Sequence, residues 1–249
     1  MGYVFCRFNH FLISLFLAFA ITINFASAEL MGPSTDELPY LDSHIGVTIK
    51  SLLTVDDGVM IPKTGGGTTQ LAGIPDGIGV IDGAELTPQE PDFFYLLVNH
   101  ELNSTQGVAR DHGNAGAFVS KWKINKTTHE VVEGDDLIKQ VFDWNEGTQS
   151  FSVASTTFDR LCSSDRPMPT ALFNSGSGKG TEEIIYFNGE ETSGGRAFAH
   201  IVTGPNAGNS YQLEHFGFTA FENVVLSPFE QDKTVAVMLD DSSNGEVYV

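Results

Sequence analysis

The 249 residues carry 32 acidic against 13 basic side chains, a formal charge of −19. So acidic a surface excludes nucleic acid and anionic membrane as partners, because both require a basic footprint. It fits calcium binding, in which the ion neutralises the acids, and it also fits a high-salt habitat.

Residues 1–28 read as a cleaved export signal. Arg7 and His10 give a weakly positive start, an apolar run follows over 11–25, and Ala26-Ser27-Ala28 has the small-residue cleavage pattern. The run is interrupted by Ser14, Thr22 and Asn24 and is short for a spanning helix; an uncleaved anchor is the alternative. Export implies a periplasmic or extracellular protein with no membrane association beyond the signal, and a monomer is expected. Cys6 leaves with the signal, so Cys162 is the lone thiol of the mature chain and no intrachain disulfide can form. A free cysteine is ordinarily a small buried hydrophobe, and in an exported protein it is a liability unless buried or coordinated.

Beyond an extended arm over 29–41, short apolar runs alternate with glycine-rich loops such as 63–67 (KTGGG), 76–83 (DGIGVIDG) and 175–180 (SGSGKG). Strands are expected over 47–55, 77–81, 93–98, 117–124, 130–132, 184–187, 197–202, 210–214 and 235–239. Segment 135–144 (DDLIKQVFDW) is the best candidate for a helix, with a further strand as the alternative. Many short strands separated by Gly/Asp turns predict an all-β fold, a sandwich, a barrel or a propeller. A single domain over 29–249 is expected. The segment 245–249 reads as a strand that has just begun, so the domain is expected to be incomplete at its C-terminus.

Three apolar runs stop on carboxylates: 93–101 (FFYLLVNHE), 184–191 (IIYFNGEE) and 235–241 (VAVMLDD). Any one of them reads as an acidic turn after a strand. Three of one design point to strand ends that deliver ligands to a shared cation, because carboxylates beside buried strands are costly when uncompensated. Alternation along the strand puts Asn99 and Glu101 on one face and His100 on the other. The candidate metal ligands are Glu101, Cys162, Glu190, Glu191, Asp240 and Asp241, with Glu222 as a further one. Arg196 is the candidate catalytic residue, binding an oxyanion, and pairing with Glu191 is its alternative fate. No Walker loop, nucleophile elbow, CxxC or HExxH occurs.

The words VNHEL (98–102), Cys162, NGEE (188–191), Gly195-Arg196 and the late VAVMLDD…EVYV resemble, in that order, the PhoX-type alkaline phosphatases, exported bacterial enzymes. The resemblance covers residues 93–249. It implies a β-propeller, whole or in part, that binds iron and calcium and hydrolyses small-molecule phosphate esters. It further implies that Cys162 and the glutamates hold iron while further acids hold calcium. The chain departs from that pattern after Cys162, where 163–170 (SSDRPMPT) lacks a tryptophan, and at Ile201, where a glutamate is expected. Those departures keep a second class open, a non-catalytic calcium-stabilised propeller acting as a binding or surface module. A propeller esterase or lactonase with a single calcium is a third.

Overall fold

A computed structural model describes residues 27–249, so the export signal expected over 1–28 lies outside the described residues except for its last two positions. Among the described residues no helix is long and apolar enough to cross a membrane.

The fold is all-β. β1 (Ala28–Met31) runs parallel to β2 (Thr48–Ser51), and β3 (Ile61–Pro62) pairs with β4 (Thr68–Thr69). β5 (Pro75–Asp82), β6 (Phe93–His100), β7 (Phe118–Asn125) and β8 (Val131–Asp136) form an antiparallel four-stranded meander. β9 (Gln140–Asn145), β10 (Ser150–Ala154) and β11 (Leu161–Asp165) follow, then a four-residue helix α1 (Pro169–Leu172) and the hairpin of β12 (Phe173–Asn174) and β13 (Lys179–Gly180). β14 (Ile185–Glu190), β15 (Ala197–Ile201) and β16 (Asn209–Gln212) complete a six-stranded sheet of order β10-β9-β16-β15-β14-β11. β17 (Phe221–Leu226), β18 (Ala236–Asp240) and β19 (Val247–Tyr248) make a three-stranded sheet. No sheet closes on itself among the described residues.

The sheets stack face to face, and the apolar runs follow from that stacking. Tyr95 and Leu97 of β6 meet Phe158, Tyr186 and Phe198 between the four- and six-stranded sheets. The alternate residues of the same strand, Leu96 and Val98, pack with Trp122 and Ile124 against Leu52, Leu53 and Val55, which follow β2. In the six-stranded sheet Tyr186 and Phe198 face one way, while Phe187, Ala197 and Ala199 face Phe221, Val224 and Met238 of the three-stranded sheet. A strand buried on both faces needs apolar residues at successive positions rather than alternate ones. Full burial of a side chain such as Phe158 or Phe198 contributes about 1.5–3 kcal/mol each.

The segment 135–144 is not a helix. β8 ends at Asp136, buried Leu137 and Ile138 join the core, and β9 begins at Gln140. Its apolar residues serve two strands of different sheets, so the helical spacing of the sequence is incidental.

Candidate metal centre

The three acid-terminated runs become β6, β14 and β18, and each is paired antiparallel with a strand that precedes it: β5, β11 and β17. The pairs end alike. Pro75 stands opposite His100, Leu161 opposite Glu190 and Phe221 opposite Asp240, and in each case the register shifts immediately afterwards along the first-named strand. A bulge frees a residue from the ladder and re-aims its side chain. The residues at these shifts are Asp76, Cys162 and Glu222. One step past the opposing strand stand Glu101, Glu191 and Asp241, whose amides donate to the carbonyls of Ile74 (2.9 Å), Arg160 (2.8 Å) and Ala220 (2.8 Å). Each pair therefore delivers two ligand-type side chains from the same end.

β11 packs against both β5 and β17, which brings the three ends together. Two glycines permit that approach. A Cβ on Gly77 would stand 2.7 Å from the Cys162 carbonyl oxygen, and one on Gly189 would stand 2.3 Å from Phe221 Cβ. Gly189 thus serves strand packing inside β14.

The result is two triads that share one sulfur. Oxygens of Asp76 and Glu101 lie with Cys162 Sγ within 4.8 Å of one another, and so do Cys162 Sγ, Glu191 and Glu222. The thiol donates to Glu222 Oε2 at 3.4 Å and lies 3.8 Å from Asp76 Oδ2. Ser163 Oγ donates to the other oxygen of Glu222 at 3.4 Å. Arg160 supplies the cation, donating to Glu101 Oε1 at 2.6 and 2.9 Å and to Glu191 Oε2 at 2.7 Å.

One guanidinium does not balance this many acids, and the protonation of the site records the imbalance. Burial, then the charges of Asp76 and Glu222, push the Cys162 thiol well above its usual range. Burial, then Glu101 and Glu222, push Asp76 up. Burial, then neighbouring Asp241, push Glu191 up to about 7 against the opposing pull of Arg160. Groups that retain protons because burial, and then neighbouring acids, disfavour their charged forms are groups from which a metal ion would displace protons. The donor set fits the metals expected. A thiolate among carboxylates suits iron, and carboxylates alone suit calcium.

A buried amide chain fixes the cysteine from behind. His200 Nε2 donates to Asn188 Oδ1 at 2.8 Å, Asn188 Nδ2 donates to Asn99 Oδ1 at 2.9 Å, and Asn99 Nδ2 donates to the Cys162 carbonyl. Asn99 and Glu101 thus share the face towards Cys162, as alternation requires. His100 turns the other way, donating from Nδ1 to the Ala72 carbonyl at 3.0 Å and accepting the Ser120 hydroxyl at Nε2, 2.8 Å away. Burial holds His100 neutral, with a pKa pushed down to about 4.

Of the residues singled out in the sequence, Glu101, Cys162, Glu191 and Glu222 come together, and Asp241 stands beside Glu191. Glu190 and Arg196 do not join them. Arg196 Nε and a terminal nitrogen grip the two oxygens of Glu190 at 2.9 Å each, and the amides of Arg196 and Asp159 add bonds of 3.0 Å. Four donors fill the acceptor positions of Glu190, so no metal has access to it. Arg196 is bonded there, to Asp143 at 3.6 Å, and lies on the Phe198 ring, so its ion-pair partners are Glu190 and Asp143 rather than Glu191. Asp240 lies outside both triads and accepts from Ser242 Oγ at 3.0 Å.

Two residues of the centre were not read from the sequence. Asp76 sits in the glycine-rich stretch DGIGVIDG, which looks like loop chemistry, yet it heads β5. Arg160 stands two residues before Cys162 with no motif around it. The available signal was the repeated plan itself: an acid or thiol one residue after Pro75, Leu161 or Phe221 at a strand start.

Comparison with known proteins adds no assignment: no family model, no curated protein and no solved structure matches the chain.

Proposed function

We propose that this chain is an exported, metal-dependent phosphomonoesterase of the PhoX type. The observation that carries the reading is the gathering of Asp76 and Glu101 on one side and Glu191 and Glu222 on the other around the shared Cys162, with more negative charge than Arg160 neutralises. Cys162 with Glu191 and Glu222, and Cys162 with Asp76 and Glu101, are the sets that would hold iron, and Asp241 at the exposed rim is suited to calcium. Bound ions supply charge neutralisation at a phosphoryl group and an activated oxygen nucleophile. The chain's own contribution is to fix the donors. Bulged strands aim Asp76, Cys162 and Glu222, and the Asn99–Asn188–His200 chain holds the cysteine backbone. The threefold recurrence of strand pairs that end on ligands also supports a propeller or part of one, whose blades would present equivalent ends to a common axis.

A test is elemental analysis of protein exported and purified without chelator, followed by assay with phosphomonoesters. Iron with calcium and ester hydrolysis support the reading. Calcium without iron, and no hydrolysis, replaces it with a calcium-stabilised binding module. One observation favours that second reading: Ile201, where the resembled phosphatases carry a glutamate, is buried and apolar.

A further inference from the structure

Arg160 differs from the other arginines near the site. Arg196 is locked on Glu190, and Arg166 is paired with Glu85. Arg160 instead lies over the acids of the centre, its side chain 45% exposed where Glu101 and Glu191 are 15% and 13% exposed. Its backbone is held on both sides, the amide donating to the Leu102 carbonyl at 2.9 Å and the carbonyl accepting from Glu191 at 2.8 Å. It has a left-handed φ of 51°, a conformation that costs a non-glycine residue energy and recurs where function constrains the chain. The backbone is therefore fixed while the guanidinium is open to solvent and, among the described residues, bonded only to Glu101 and Glu191, one acid from each triad.

We propose that Arg160 is a transferable counter-ion that holds Glu101 and Glu191 together in the metal-free centre and, once cations occupy those acids, gives its donors to the phosphoryl oxygens of the substrate. The inference rests on the phosphatase reading for its substrate and on the geometry for its arginine. A guanidinium and a metal ion compete for the same carboxylate oxygens, so a cation held by Glu101 and Glu191 would free the fork of Arg160, whose side chain is already open to solvent. That fork matches two oxygens of a phosphate, a geometry the ammonium of lysine does not reproduce.

The test compares wild type, Arg160→Gln and Arg160→Lys by calorimetric titration, first of iron into metal-free protein and then of inorganic phosphate into calcium- and iron-loaded protein. Arg160→Gln removes the competitor, so iron should bind more tightly, by roughly threefold or more, the worth of a partly exposed ion pair. Phosphate should bind the same variant roughly tenfold to a hundredfold more weakly, the loss of one charge-assisted contact. Arg160→Lys should fall between the two in phosphate affinity, and thermal unfolding of the loaded variants checks that they are folded. A purely structural arginine would weaken both titrations together, and that outcome overturns the proposal. Phosphate affinity in Arg160→Gln equal to wild type, with wild type hydrolysing esters, overturns it and leaves the phosphatase reading intact. Wild-type loaded protein that binds no phosphate overturns both.

Discussion

Glu190 and Glu191 are adjacent in the chain and belong to different systems: Arg196 holds Glu190 at 2.9 Å inside the sheet, and Arg160 holds Glu191 at 2.7 Å among the acids of the centre. The Glu190 side chain is 4% exposed, so its pairing with Arg196 is a buried ion pair whose removal leaves an uncompensated charge. Glu190→Gln should cost about 3–5 kcal/mol of stability, a melting-temperature fall on the order of 10 °C. Glu191→Gln should leave the metal-free protein as stable as wild type or more so, because it relieves crowding among acids, and should lower the metal content. Thermal unfolding and elemental analysis of the two variants decide it. Equal melting-temperature losses in both would remove the distinction drawn between them.

Cys162 is the atom the two triads share, so its replacement touches both at once. Cys162→Ser keeps the volume and the hydrogen bond to Glu222 but exchanges a soft ligand for a hard one. Bound iron per chain should fall at least about tenfold, with calcium retained and metal-free stability changed by less than about 1 kcal/mol. Iron content equal to wild type would return Cys162 to the role of an ordinary buried thiol.

Glu191 gives the metal-free protein a pH dependence of unusual sign. Its pKa of about 7 in the fold lies above the ordinary 4.5. Across that window the folded chain keeps a proton that the unfolded chain has released, so its contribution to stability falls as pH rises and then levels off. His100 and His200 act the other way, since burial lowers them to about 4 and about 3 from an ordinary 6.5. Their contribution is complete above 6.5 and is lost as pH falls towards those values. The difference in stability between metal-free Glu191→Gln and wild type isolates the glutamate: it should grow from pH 4.5 to 7 and be flat beyond. A difference that is constant across this range would show that Glu191 is not crowded by its neighbours.

Much of this plan is legible in the chain. FFYLLVNHE, IIYFNGEE and VAVMLDD announce strands that end on acids, and alternation along Asn99-His100-Glu101 assigns the faces of all three residues. Three things are not legible, each for a physical reason. Which of two adjacent glutamates joins the cluster around Cys162 depends on where Arg196 lies across a hairpin, and spacing does not report that. Asp76 reaches the centre because a bulge re-aims it, and a bulge is a property of two paired strands rather than of one. Arg160 and Glu191 are joined by the pairing of β11 with β14, a contact between segments with a helix and a hairpin between them.

Gly189 offers a test of the packing that assembles the centre. Phe221 leads directly into Glu222, and its Cβ would lie 2.3 Å from a Cβ added at Gly189, so Gly189→Ala forces β17 away from β14. Overpacking of this kind costs typically about 1–3 kcal/mol. Because the displaced strand carries Glu222, whose Oε2 is 3.4 Å from Cys162 Sγ, metal affinity should fall with stability. Gly65→Ala is the control, since a Cβ there meets nothing within 4 Å and both quantities should stay at wild type. Iron titration and thermal unfolding of the pair supply the comparison. If Gly189→Ala lowers the melting temperature while its iron affinity stays at wild type, Glu222 is held in place by something other than the contact between β14 and β17.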